Sequence, residues 1–130
     1  MEWKFETKTD IEKIEKFAKA LDYALRDDAE SFLLEHNNGR PVKCAFDTQK
    51  TKERTIKKVL SYNSEDIENV YDFESVFKDS GLGLYPFATD SFGNFICFRK
   101  SDNALVFWSL EDDGVEHIAD SVREFVDKLY

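Results

Sequence analysis

The stretch Leu84–Asp113, LYPFATDSFGNFICFRKSDNALVFWSLEDD, constrains this chain more than any other part of it. It reads as three short strands, Leu84–Thr89, Asn94–Arg99 and Ala104–Ser109, joined by two tight turns and followed by an acidic turn. The turns Asp90–Gly93 and Lys100–Asn103 supply the Gly, Asn, Asp and Ser that chain reversals use. Phe95 and Cys97 alternate with Ile96 and Phe98, and Leu105 and Phe107 alternate with Val106 and Trp108, so both faces are apolar. A sheet that is apolar on both faces has to be covered on both. The meander is therefore predicted to be central and buried, with the flanking segments packed around it.

Those flanks carry suitable patterns. Ile11, Ile14, Phe17, Ala18 and Leu21 recur at spacings of three and four, which predicts a helix over Asp10–Leu21. Thr9 or Asp10 is its expected cap, with Glu12 completing a capping box from Thr9. A second helix is expected from Asp27 or Asp28 to about His36, burying Ala29, Phe32 and Leu33 and stopped by Asn37-Asn38-Gly39. From Val42 the period becomes two, and Val42–Phe46 and Arg54–Tyr62 read as strands around the polar loop Asp47–Glu53. Ser64 looks like a helix start, and Ile67–Phe77 reads as one or two short helices. Val115–Ala119 is a last strand, and Ser121–Leu129 a C-terminal helix with a Ser121/Glu124 capping box. Met1–Thr7 reads as an edge strand or an ordered arm. With no repeat and no linker, one domain over residues 1–130 is expected.

Composition narrows the class of function. A chain of 130 residues with 42% hydrophobic content and twelve Phe can bury a core without a staple. Cys44 and Cys97 lie far apart in apolar runs, which fits free thiols in a reducing cytosol. The N-terminal MEWKFETKTD lacks the apolar run of a signal peptide, and no stretch reaches the roughly 18 apolar residues of a membrane span. A cytoplasmic protein without membrane contact is expected. The net charge of −9 opposes binding to nucleic-acid backbones, and the densest basic cluster, Lys50–Lys58, is explained by a loop beside a strand. The same charge suits a basic protein surface, or simply solubility.

No catalytic constellation emerges. His36, Cys44, Cys97 and His117 include no close pair of the kind that zinc sites use. Cys97 reads as an interior strand residue with no electropositive surround to activate it. Asp90, Glu111, Asp112 and Asp113 offer carboxylates for acid–base work or a hard cation, but EDDG lacks the spaced ligands of a calcium loop, and a solvated turn explains it. Neither an enzyme nor a cofactor is expected. Trp3, Phe92 and Tyr85 are aromatics whose burial is not guaranteed, and an apolar patch ringed by Asp and Glu is what a protein-binding face looks like.

Three blocks then carry a resemblance: FLLEHNNGRP (Phe32–Pro41), YPFATDSFGNFICF (Tyr85–Phe98) with the following ALVFWS strand, and IADSVREF (Ile118–Phe125). In this order the chain resembles the SUKH (Smi/Knr-type) superfamily, which includes yeast cell-wall regulators and many bacterial immunity proteins. Asp47–Phe77 matches it only in polar and apolar outline. The resemblance implies an α+β fold, with a mixed or mainly antiparallel sheet of about five to six strands carrying the two N-terminal helices and the C-terminal helix. It implies an immunity protein that neutralises a cognate polymorphic toxin, often a nuclease, by direct binding. The alternative it implies is a non-enzymatic regulatory or scaffolding adaptor. The residues expected to meet a partner are Asp90, Phe92, Glu111, Asp112 and Asp113. The chain is expected to be a monomer, or a weak homodimer through a sheet edge.

Overall fold

The computed structural model describes residues 1–130. Its centre is a five-stranded antiparallel sheet of order β5-β6-β7-β8-β9. Four of these strands form the meander and its extension: β6 (Leu84–Thr89), β7 (Phe95–Arg99), β8 (Leu105–Ser109) and β9 (Gly114–Ala119). The fifth, β5 (Lys58–Val59), pairs with the end of β6 through Lys58 opposite Thr89 and Val59 opposite Ala88. Pro86 sits inside β6 although it has no N–H to give a ladder. The register slips between Pro86 and Ala88, and this bulge accommodates the missing donor.

Both faces of the sheet are covered, as its double-sided apolar pattern demands. Phe95 stacks on Trp108, and Phe73 and Phe77 press edgewise on this face. These two Phe residues come from a 3₁₀ turn, Val70–Phe73, and a short helix, α3 (Glu74–Asp79). On the opposite face Tyr85, Phe87 and Phe98 meet Phe17, Tyr23, Phe32 and Phe125. Phe17 belongs to α1 (Ile11–Ala20), Phe32 to α2 (Asp27–Glu35) and Phe125 to α4 (Val122–Asp127). The resulting cluster holds 30 buried apolar residues. No helix is long and apolar enough to cross a membrane.

Helix ends follow local chemistry with some changes from the expected caps. Asp10 caps α1 by accepting from the Lys13 N–H at 2.9 Å; the Thr9 hydroxyl is buried without a partner, so no capping box forms there. The second helix starts at Asp27 as read, with Arg26 in the cap position and both Asp27 and Asp28 in the first turn, where the helix dipole favours them. Asn69, not Ser64, starts the second pair of short helices, its side chain accepting from the Asp72 N–H. Ser121 caps α4 as read, but Glu124 reaches back to the Asp120 N–H rather than to that of Ser121.

The segment before the meander is less regular than its alternating pattern suggests. Val42–Phe46 pairs only at β3 (Ala45–Phe46), with β4 (Arg54–Thr55), and Arg54–Tyr62 is broken between β4 and β5. The N-terminal arm does form an edge pair: β1 (Trp3–Lys4) lies antiparallel to β2 (Arg40–Pro41). Gly39 makes that approach possible, because a Cβ there would sit 2.9 Å from the His36 carbonyl oxygen and 3.0 Å from the Trp3 ring.

Buried and half-buried polar side chains replace the missing ladders. Asn37, fully buried, donates through Nδ2 to Thr7 and Ser61 Oγ and accepts from the Tyr62 N–H at 2.8 Å. Asp66 Oδ2 accepts from Thr7 Oγ1, Ser61 Oγ and Asn63 Nδ2. Burial alone would raise the Asp66 carboxyl, but these hydrogen bonds outweigh it and hold it below its ordinary 3.8. Asn37→Ala leaves a buried N–H and two polar side chains short of a partner, so a loss of about 2–3 kcal/mol is expected as a lower urea midpoint with unchanged slope. Because the Asp66 value is depressed on folding, its contribution is complete above pH 3.8 and is lost as pH falls through the folded value. Asp66→Asn is expected to flatten that part of the acid limb in a stability-versus-pH series.

Candidate protein-binding site

An antiparallel meander brings alternate turns to the same end of its sheet. The β6–β7 turn, Asp90–Asn94, and the β8–β9 turn, Leu110–Asp113, thus lie side by side. One side chain ties them: Asn94 donates through Nδ2 to Asp90 Oδ2 at 3.0 Å, and its Oδ1 accepts from the Leu110 N–H at 3.1 Å.

Asp90 is the organiser of the first turn. Its Oδ1 accepts from the N–H groups of Phe92 and Asn94, both at 2.8 Å, and its own N–H donates to the Asn94 carbonyl at 3.1 Å. The residue is only 4% exposed. Asp90, expected to meet a partner, is instead buried in its own turn, where its carboxylate satisfies backbone donors rather than projecting into solvent. Gly93 turns the chain at φ 85°, a conformation that L side chains rarely adopt. Phe92, held between these anchored residues, is 82% exposed.

The second turn carries the free charge. Glu111, Asp112 and Asp113 are all exposed. Asp112 Oδ1 accepts from the Gly114 N–H at 2.8 Å, and that hydrogen bond holds its carboxyl below the ordinary value. Asp113, at φ 56°, accepts from the Trp108 indole N–H at 3.4 Å, which couples the turn to the core. Leu110 is partly exposed at the same end. The arrangement is an aromatic side chain on a braced turn beside three carboxylates.

The other sequence candidates are accounted for within the fold. Tyr85 is buried, and its hydroxyl lies 2.7 Å from that of Tyr62. Trp3 is half-buried and stacks on His36 at 4.3 Å. His36 contacts Glu6 and His117 contacts Asp120, so neither faces the other or a cysteine. Cys97 is buried, which pushes its thiol well above its ordinary value, and Cys44 is half-buried and unpaired with it. No group of three or more His, Cys, Asp or Glu is placed to hold a metal ion.

Two exposed apolar residues fall outside the sequence reading. Phe5 and Ile67 flank a concavity of about 470 Å³ beyond β5. Ile67 hides in the pattern of Ile67–Phe77, where it reads as part of a helix face. Its placement alone between Asp66 and Glu68 is the signal of a solvent-facing residue.

The family model described as SMI1 / KNR4 family (SUKH-1) matches residues 8–128. Neither the curated proteins nor the solved structures contain a significant match.

Because Asn94 serves both turns, Asn94→Ala is expected to cost about 1–2 kcal/mol and to speed amide exchange in Ser91–Gly93 and Leu110–Asp113 together. Phe92→Ala is expected to change stability by less than about 0.5 kcal/mol in the same urea assay, since the ring is solvated.

Proposed function

This chain belongs to the SMI1 / KNR4 family (SUKH-1), and we propose that it is a cytoplasmic bacterial immunity protein that neutralises a cognate polymorphic toxin by binding it. The observation that carries this reading is Phe92, exposed on a turn whose backbone is hydrogen-bonded in place and bordered by Glu111, Asp112 and Asp113. A large apolar ring that costs little ordering entropy is an efficient interface anchor, because its loops are already fixed before binding. The carboxylates around it and the net charge of −9 complement the basic groove of a nuclease, which is the toxin class this reading favours.

In this account inhibition is occlusion and involves no chemistry on the toxin. The acidic turn steers encounter, Phe92 seats in an apolar pocket near the groove, and substrate phosphates are excluded by volume and by like charge. The protein acts one to one, without a cofactor and without turnover. Nucleic acid is the toxin's ligand, not this protein's.

The test is co-expression with the product of the neighbouring gene, which this reading expects to carry the toxin domain, followed by affinity measurement on the purified pair. Phe92→Ala is expected to weaken binding by about 30-fold or more, mainly through faster dissociation. Reversal of Glu111, Asp112 and Asp113 to Lys is expected to slow association at low salt by about tenfold, with the difference shrinking as salt rises. Full protection and unchanged affinity in both variants would remove this face from the function.

A further inference from the structure

We propose that the outer edge of β9 is a docking site for an extended basic segment of a protein partner, which pairs with it as a sixth strand. β9 ends the sheet, and only β8 pairs with it. The opposite end is closed: the Val59 N–H of β5 donates to the Gly39 carbonyl at 2.9 Å, and Ser61 bridges to Asn69. No strand closes β9 in this way. It also holds neither the Pro nor the Lys that commonly blunt an edge.

The ladder fixes which groups are left open. The Arg99 N–H donates to the Ala104 carbonyl at 2.8 Å, and bonded and non-bonded pairs alternate along the strands from there. Leu105 and Phe107 therefore turn their peptide groups to β9, and Glu116 is the bonded partner of Phe107. The N–H and C=O groups of Val115 and His117 then point outward, away from any strand. The register slips between Leu105 and Val106, leaving Ile118 as a bulge, so the straight edge is Gly114–His117.

The charge around the edge selects the occupant. Glu111, Asp112, Asp113, Glu116 and Asp120 lie on or beside β9, and residues 111–120 include no Lys or Arg. Neighbouring cations offset part of this. Lys50 acts on Asp112, the Arg54 guanidinium lies 4.2 Å from the Phe107 ring centroid on the face of Glu116, and His117 pairs with Asp120 at 2.7 Å. Lys128 is matched by Glu124 at 2.9 Å and Arg99 by Asp102 at 2.8 Å. Five carboxylates against Lys50, Arg54 and a protonated His117 still leave an excess of two negative charges. That excess opposes a second copy of this chain, which would set the same charges against themselves, and favours Lys or Arg.

Glu116 marks where such a cation fits. Its Oε1 is buried and has no hydrogen-bond partner. On an added antiparallel strand the residue opposite Glu116 occupies a non-bonded pair, the kind in which side chains approach most closely. A Lys or Arg there supplies the missing donor. The residue opposite Val115 lies on the other face, against a Val115 side chain that is 37% exposed, and an apolar side chain suits it. This is a main-chain site distinct from the Phe92 turn, and its failure would leave the reading of that turn untouched.

Acetylated, amidated Val-Lys-Val-Lys-Val-Lys is the probe, titrated into isotope-labelled protein with amide exchange followed residue by residue. In the free protein the Glu116 N–H is expected to exchange slowly and those of Val115 and His117 fast. Saturating peptide is expected to slow the latter two by about tenfold or more. Methylating the backbone nitrogens of the peptide's valines keeps its charge but removes the donors that face β9, and is expected to abolish this protection. Methylating those of its lysines is expected to spare it. Glu116→Gln, which keeps the side chain's shape, is expected to melt like the parent and to bind the peptide about threefold more weakly. No protection at Val115 and His117, equal binding of the valine-methylated peptide, or undiminished binding by Glu116→Gln overturns the proposal. The same protection in concentrated protein without peptide would make the occupant a second copy and overturn it as well.

Discussion

A sheet whose central strands are apolar on both faces has no side to offer to water, and the rest of this structure follows from that constraint. Every residue of β6, and all but the last residue of β7 and of β8, is buried. Two layers of cover are then required. One comes from α1, α2 and α4, and the other from the short 3₁₀ turn and α3. The chain between α2 and β6 has to lead from one cover to the other around the β5 edge, and long regular strands cannot follow that path. Short two-residue ladders and the polar hubs at Asn37 and Asp66 take their place. Polar groups of this kind tolerate irregular backbone because each satisfies several donors or acceptors at once.

With both faces covered, the end of the sheet is where the proposed function places recognition. Turns there are free of the core's packing demands yet can be fixed by their own hydrogen bonds. The division of labour among the carboxylates shows how this works. Asp90 and Asp66 are spent internally on backbone and hydroxyl donors, whereas Glu111 and its neighbours remain in solvent. Asn94 makes the two turns one unit, so the aromatic and the acidic elements keep a fixed relation. A prearranged surface loses less entropy on binding than a mobile one.

Much of this was legible in the residues. The strand Leu84–Thr89 appears as read, and the other two meander strands differ by one residue at their starts, because alternation, turn residues and burial agree there. The α+β class and the capped helices followed from the same local signals. The path from Val42 to Ser64 did not. Its alternating pattern suggested two strands, but the ladders are replaced by side-chain bonds from Asn37 and Asp66, and such tertiary partners leave no period in the sequence. Asp90 was misplaced for a related reason: a carboxylate in a turn looks alike whether it faces water or its own backbone. Phe5 escaped because Trp3 and Phe5 alternate with Glu2, Lys4 and Glu6 as in a strand, whereas its φ of 62° turns it out.

Hydrogen–deuterium exchange on a complex with the toxin domain that the proposed function calls for tests the central claim most directly. The account predicts new protection concentrated in Ser91–Asn94 and Leu110–Gly114, with α2 and α4 unchanged. Protection confined to the helical layers, with those two turns exchanging as in the free protein, would contradict it.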